Sequence, residues 1–177
     1  MIAVLRFIGL LNAAVWFGAT IFFMFGVQPA GSSEELKALL KSNFPYYSQA
    51  IVHLFMARYF HLQIACGIVA LLHLLAERLY LGKSPERAWL GALVGLLALS
   101  LLGSGWVEPK LRELNLIENG VNTRPENRQK ASESLVIWRR VVQFGNLLTL
   151  GGLGIYLWRI ANPVDPMRFL SAGKLRS

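Results

Sequence analysis

Four stretches without a single charge, each close to the length of a bilayer crossing, constrain this chain more than any other feature. They run from Phe7 to Val27, Tyr59 to Leu75, Ala88 to Val107 and Val141 to Trp158. A hydrocarbon core of ~30 Å takes roughly 20 helical residues to span. The second run reaches that length by borrowing residues on either side. The expected fold is an all-α integral membrane protein, a four-transmembrane-helix bundle with short interfacial helices in its loops. The spans fall at approximately 5–27, 54–80, 86–107 and 137–160. They use nearly all of the 177 residues, so the chain reads as a single transmembrane domain, 1–177.

Composition agrees with that reading. Hydrophobic residues make up 54% and charged residues 16%, against ~25% charge in a soluble domain. The net charge of +8 comes from Lys and Arg gathered at span ends, where they meet anionic headgroups. No basic domain exists to bind nucleic acid, and that partner is excluded. Cys66 is the single cysteine; it excludes an intramolecular disulfide and reads as a small packing residue. The first apolar run is longer than the ~7–15 residues of a signal peptide and reads as a true first helix.

Along the chain, Gln28-Pro29-Ala30-Gly31 should end the first helix. Ser32 with Glu35 forms a capping-box pattern ahead of Leu36, Leu39 and Leu40, which predicts a short surface helix. Phe44-Pro45-Tyr46-Tyr47 suits the headgroup level. Arg58 interrupts the next run: either one long tilted helix carries it near an interface, or an interfacial stretch precedes a span starting near Leu54. Ser84-Pro85-Glu86 is a compact helix start. Pro109 should end or kink the third span, and Leu111, Leu114 and Leu116 suggest another surface helix. Thr123 to Glu126 combines a capping box with an early proline, and Asn162-Pro163 stops the last helix before a short basic tail. No internal repeat is visible. Eight Lys and Arg on one side against ten on the other leave the orientation undetermined.

Small residues should let the helices approach closely: Ala14 and Gly18, Gly91 and Gly95, and Gly145, Gly151, Gly152 and Gly154. Asn12, His61, Gln63, His73, Gln143, Asn146 and Thr149 lie within apolar sequence and are expected to face inward or a protein contact. Interhelical hydrogen bonding is the plain role for such groups. Glu108, beside Trp106 at a span end, is expected to pair with Arg139 or Arg140 or to titrate in transport.

No acid pair, nucleophile elbow, phosphate loop or cysteine-rich motif appears, so no catalytic residue and no metal site is expected. His53, His61 and His73 share one segment. His61 and His73 are 12 residues apart, ~18 Å along a helix, too far to ligate one iron. No cofactor is expected; haem b on His61 or His73, completed from elsewhere, is the alternative. The candidate functional positions are Arg58, His61, Gln63, Glu108 and Asn146.

The motifs Trp16-Phe17-Gly18, Phe44-Pro45-Tyr46-Tyr47, Tyr59-Phe60-His61 with Gly67, Trp106-Val107-Glu108-Pro109-Lys110 and Trp138-Arg139-Arg140 occur in that order. In this the chain resembles the transmembrane protein 205-like family, a domain-of-unknown-function group, from about Asn12 to Trp158. Family members often carry a histidine where Val141 and Val142 stand here, so an activity needing it would be missing. The resemblance extends distantly to four-helix membrane proteins of copper-resistance and protoporphyrinogen-oxidase type, some of which bind haem.

The expected function is non-enzymatic: a bundle in the bacterial cytoplasmic membrane that acts through contacts. Its partners would be the lipid bilayer and other membrane subunits or a second copy, as in an accessory subunit of a larger complex. A small transporter or permease-like protein using His61, Gln63, Asn146 and Glu108 is the alternative. A haem-binding redox membrane protein is the second.

Overall fold

The computed structural model describes residues 2–81, 87–120 and 123–162. The Ser84-Pro85-Glu86 start, the Pro163 stop and the basic tail lie outside the described residues. Helix α1 (Ile2–Ile21) continues through a π-helical turn, Phe22–Val27, into the short α2 (Gln28–Ala30). Helix α3 (Glu34–Leu40) and a 3-10 turn, Lys41–Asn43, lead to α4 (Phe44–Leu81). Helix α5 (Arg87–Leu102) passes through a second π-helical turn, Gly103–Val107, into α6 (Glu108–Asn119), and α7 (Pro125–Ala161) follows. Among the described residues no strand occurs.

Four helical stretches are long and apolar enough to cross a membrane: Val4–Ala30, Tyr46–Tyr80, Arg87–Asn119 and Pro125–Ala161. All but the first are far longer than a bilayer requires, and the charges show where the excess lies. Arg58 and Arg78 stand 20 residues apart on α4, as do Arg139 and Arg159 on α7, about 30 Å of helix in each case. That separation matches the hydrocarbon thickness. The bundle therefore has two layers: one inside the bilayer, and a cap outside it built from α3, the start of α4, α6 and the start of α7. Buried residues form two clusters, the second of which also takes in Phe23, Tyr59, Phe60 and Val142 and so runs from the membrane layer into the cap. Ala13, Trp16, Cys66, Leu93, Leu96, Leu153 and Tyr156 form the membrane cluster, and Met56, Leu111, Leu114, Ala131 and Leu135 anchor the cap. One long helix carries Arg58 at the interface, so α4 needs no separate interfacial stretch.

The first helical stretch ends at Ala30, inside the expected Gln28-Pro29-Ala30-Gly31 breaker, although neither Pro29 nor Pro109 is itself the stop. A proline lacks the N–H that an α-helix pairs four residues back, and in both places the preceding turn widens to the i→i+5 pattern. Each proline then sits in the first turn of the next α segment, where a missing N–H costs nothing. The two turns end alike, Val27-Gln28-Pro29 and Val107-Glu108-Pro109. The chain thus repeats one plan, span, π turn, amphipathic helix and long helix, which side-chain pattern alone did not reveal.

Other boundaries shift by a residue. The cap of α3 is Ser33, whose hydroxyl accepts from the Leu36 N–H at 3.2 Å, while Ser32 donates to the Pro29 carbonyl at 3.1 Å. Helix α7 begins at Pro125 with no side-chain cap from Arg124, so the expected box at Thr123 does not form.

Helix α1 packs on α4 and α7, α5 packs on α4, and α6 packs on α7 and α4. This makes an arc, α7–α1–α4–α5, whose closing side between α5 and α7 is sparse. Small residues contribute less than expected. Gly18, Gly91, Gly95, Gly145 and Gly151 have nothing near a notional Cβ, and only Gly152 and Gly154 of the expected set meet a neighbour, Leu96 and Phe17. Close approach occurs elsewhere, at Gly9 under the His73 ring and at Gly103 under Phe60.

Candidate functional site

Both π turns dock on adjacent residues of α4. Phe23 stacks on Tyr59, ring centroids 4.2 Å apart and 6° from parallel, and Phe60 lies against Gly103 so closely that a Cβ there would clash with its ring. Directly beneath is a buried polar cluster. The Tyr59 hydroxyl donates to Asn146 Oδ1 at 3.1 Å, joining α4 to α7. One turn on, Ser100 Oγ has a single proton and lies 2.8 Å from Gln63 Oε1 and 3.0 Å from the Leu96 carbonyl, joining α5 to α4. Thr149 turns its hydroxyl back to the Gly145 carbonyl at 2.9 Å. The nitrogens of Gln63 and Asn146 have no partner.

The remaining intramembrane polar groups serve as ties. Asn12 donates to the Cys66 carbonyl at 2.9 Å. His73 is buried, with Nε2 2.9 Å from the Leu5 carbonyl; since a carbonyl only accepts, Nε2 carries the proton. That nitrogen is occupied, and the ring is pressed on Gly9. Among the described residues no three of His, Cys, Asp and Glu converge as a metal set.

Of the two placements expected for the intramembrane polar groups, the core or a protein contact, His61 does not take the core. It is exposed on the outer face of α4, its Nδ1 2.6 Å from the Ala57 carbonyl one turn back, and Arg58 and Gln143 are exposed as well. The helix periodicity decides this: Tyr59, Gln63, Cys66 and Ala70 take the inner face, and His61, about 200° from Tyr59, lies on the opposite one. Glu108 is half-buried and forms no ion pair with Arg139 or Arg140 among the described residues. It lines a cleft with Arg112 instead. The structure therefore brings Gln63 and Asn146 together and leaves Arg58, His61 and Glu108 apart from them.

Sequence reasoning missed the contact that organises the cap, a short hydrogen bond between His53 of α4 and Asn115 of α6. A signal existed, because Asn115 follows Leu111 by four residues and so shares its buried face. On one side of this pair is a cleft of about 300 Å³ reached by Gln28, Gln49, Arg139 and Gln143. On the other is a cleft of about 330 Å³ reached by Tyr46, Glu108 and Arg112. Neither runs through the membrane layer, where Trp16, Leu93 and Leu153 are fully buried.

These features define a class: a four-span membrane bundle with a polar interhelical cluster at one interface and a small helical cap above it. Within that class the chain belongs to the family described as Domain of unknown function (DUF4149), whose pattern matches residues 11–119. The match takes in Tyr59, Gln63, Ser100 and the His53–Asn115 pair and stops before Asn146. No curated protein and no solved structure matches the chain.

Proposed function

We propose that this protein is a non-enzymatic bundle of the bacterial cytoplasmic membrane, transmembrane protein 205-like, that acts by holding a helix of another membrane subunit. The observation that carries this is the outward His61. An imidazole on the lipid face with only its own backbone as partner is costly in hydrocarbon, and a neighbouring helix offering a polar group removes the cost. His61 lies on a seam, Leu54, Arg58, His61, Ala65, Ile68 and Leu72, every member of which is exposed. Its 4,3 spacing is that of helix pairing in coiled coils, and Ala65 gives room for close approach.

The accessory role also accounts for the inner polar groups, which are spent on ties between α1, α4, α5 and α7. A second reading, transport of a small polar solute, is favoured by the twin clefts around His53 and Asn115. It requires the packed layer of Trp16, Leu93 and Leu153 to open.

The test is site-specific photo-crosslinking in native membranes, with the probe at Leu72 on the seam or at Leu148 on the exposed face of α7. A discrete adduct with another membrane protein from Leu72, absent from Leu148 and lost with His61→Leu, is the expected result. Equal labelling from both positions, or lipid adducts only, refutes the reading.

A further inference from the structure

Helices α5 and α7 touch where Leu96 meets Gly152 and then part. Their gap is closed at the interface end by Trp106 and Trp138, ring centroids 5.2 Å apart and set edge-on at 89°. Between these two contacts is a cavity of about 200 Å³. Its walls are almost wholly apolar, with Leu99 and Leu102 on one side and Val141 and Gly145 on the other. A Cβ at Gly145 would meet nothing within 4 Å. Leu102 and Val141 at its mouth are exposed, so the cavity opens sideways toward lipid and is separate from the clefts of the cap.

Its floor differs from the walls. Gln63 is 2% exposed and Asn146 5% exposed, and both line the cavity. The Asn146 oxygen accepts from Tyr59 and the Gln63 oxygen shares the one Ser100 proton with the Leu96 carbonyl, whereas Gln63 Nε2 and Asn146 Nδ2 have no partner. The partnerless atoms of these two residues are thus both donors. An unpaired donor in a water-free layer costs several kcal/mol, and an apolar pocket with a few convergent polar groups is the usual form of a ligand site. The volume is below the ~300 Å³ at which whole-ligand pockets begin, so only part of a ligand is enclosed.

We propose that this groove binds a lipid-soluble molecule through a carbonyl oxygen, which accepts from the amide groups of Gln63 and Asn146 while the molecule's apolar tail leaves between α5 and α7 into the bilayer. Two sources carry that chemistry, a lipophilic quinone and the ester of a bulk phospholipid. The binding does not depend on the α4 seam or its partner.

The experiment titrates decylubiquinone against tryptophan fluorescence in nanodiscs of diester or diether phosphatidylcholine. The comparison variants are Gly145→Leu, whose Cβ meets nothing within 4 Å and whose side chain takes up space in the cavity, and Gln63→Leu, which removes a donor. Saturable quenching in both lipids, weakened at least tenfold by each variant at unchanged helical circular dichroism, is expected for a quinone site. Saturation in diether lipid alone, with the same loss in the variants, identifies the ester of bulk lipid as the occupant that competes. Quenching that rises linearly with partitioned quinone in both lipids, alike in wild type and Gly145→Leu, overturns the proposal.

Discussion

Replacing Gly9 by alanine is expected to destabilise the bundle, although the same change normally strengthens a helix. Alanine in a helix interior is favoured over glycine by about 0.8–1.0 kcal/mol. Against this, the new Cβ would clash with Nε2, Cε1 and Cδ2 of the His73 imidazole. Crowding a packed site costs about 1–3 kcal/mol. Moving the ring also takes Nε2–H away from the Leu5 carbonyl and leaves a buried donor unpaired, a further ~1–3 kcal/mol. Together the costs, about 2–6 kcal/mol, exceed the helical gain at every point of the range, and the net loss is about 1–5 kcal/mol. Gly91→Ala and Gly95→Ala provide the contrast, because nothing lies near their notional Cβ atoms. Those two should be neutral or stabilising by up to about 1 kcal/mol. Unfolding midpoints in mixed detergent micelles, followed by circular dichroism, measure all three. The order Gly9→Ala below wild type, with Gly91→Ala and Gly95→Ala at or above it, is required. If Gly9→Ala matches the other two, His73 is not packed on Gly9 and the α1–α4 interface is misdrawn.

Two further outcomes follow from the same geometry. A double-mutant cycle of Tyr59→Phe and Asn146→Leu should give a coupling of about 0.6 kcal/mol and no more than about 1.7, the range for interhelical hydrogen bonds in membranes; additivity in the unfolding titration would mean the bond does not form. Lys41, with φ 49°, is in a region glycine occupies freely and other residues enter at a cost of roughly 1–2 kcal/mol, so Lys41→Gly should raise the unfolding midpoint, and a lowered midpoint would refute strain at that turn.

Apolar runs and their flanking charges determined the class of the protein and the number of its spans. The reason is that a bilayer imposes one length and one polarity on any helix that crosses it, and both can be counted along the chain. The identity of the helix ties was also partly legible: Asn12, Gln63, His73, Asn146 and Thr149 are polar residues in apolar sequence, and burial or bonding was their cheapest outcome. Which partner each takes was not legible, since Tyr59 reaches Asn146 across 87 positions and only the packing of α4 against α7 sets that distance. His61 shows the same limit from the other side. Two residues separate it from Gln63, and about 200° of helical rotation sends one to the core and the other to the lipid face; which face is inner depends on where α1 and α5 lie. The small residues fared likewise, for a glycine invites close approach but the neighbouring helix decides whether to use it, at Gly9 and Gly103 and not at Gly91 or Gly95. The breaker around Pro29 did end its helical stretch, at Ala30, whereas the helix runs on past Pro109 to Asn119 after a π turn against which Phe60 packs. Length, polarity and local hydrogen-bonding capacity are properties of the chain, while the choice of partner is a property of the assembled bundle.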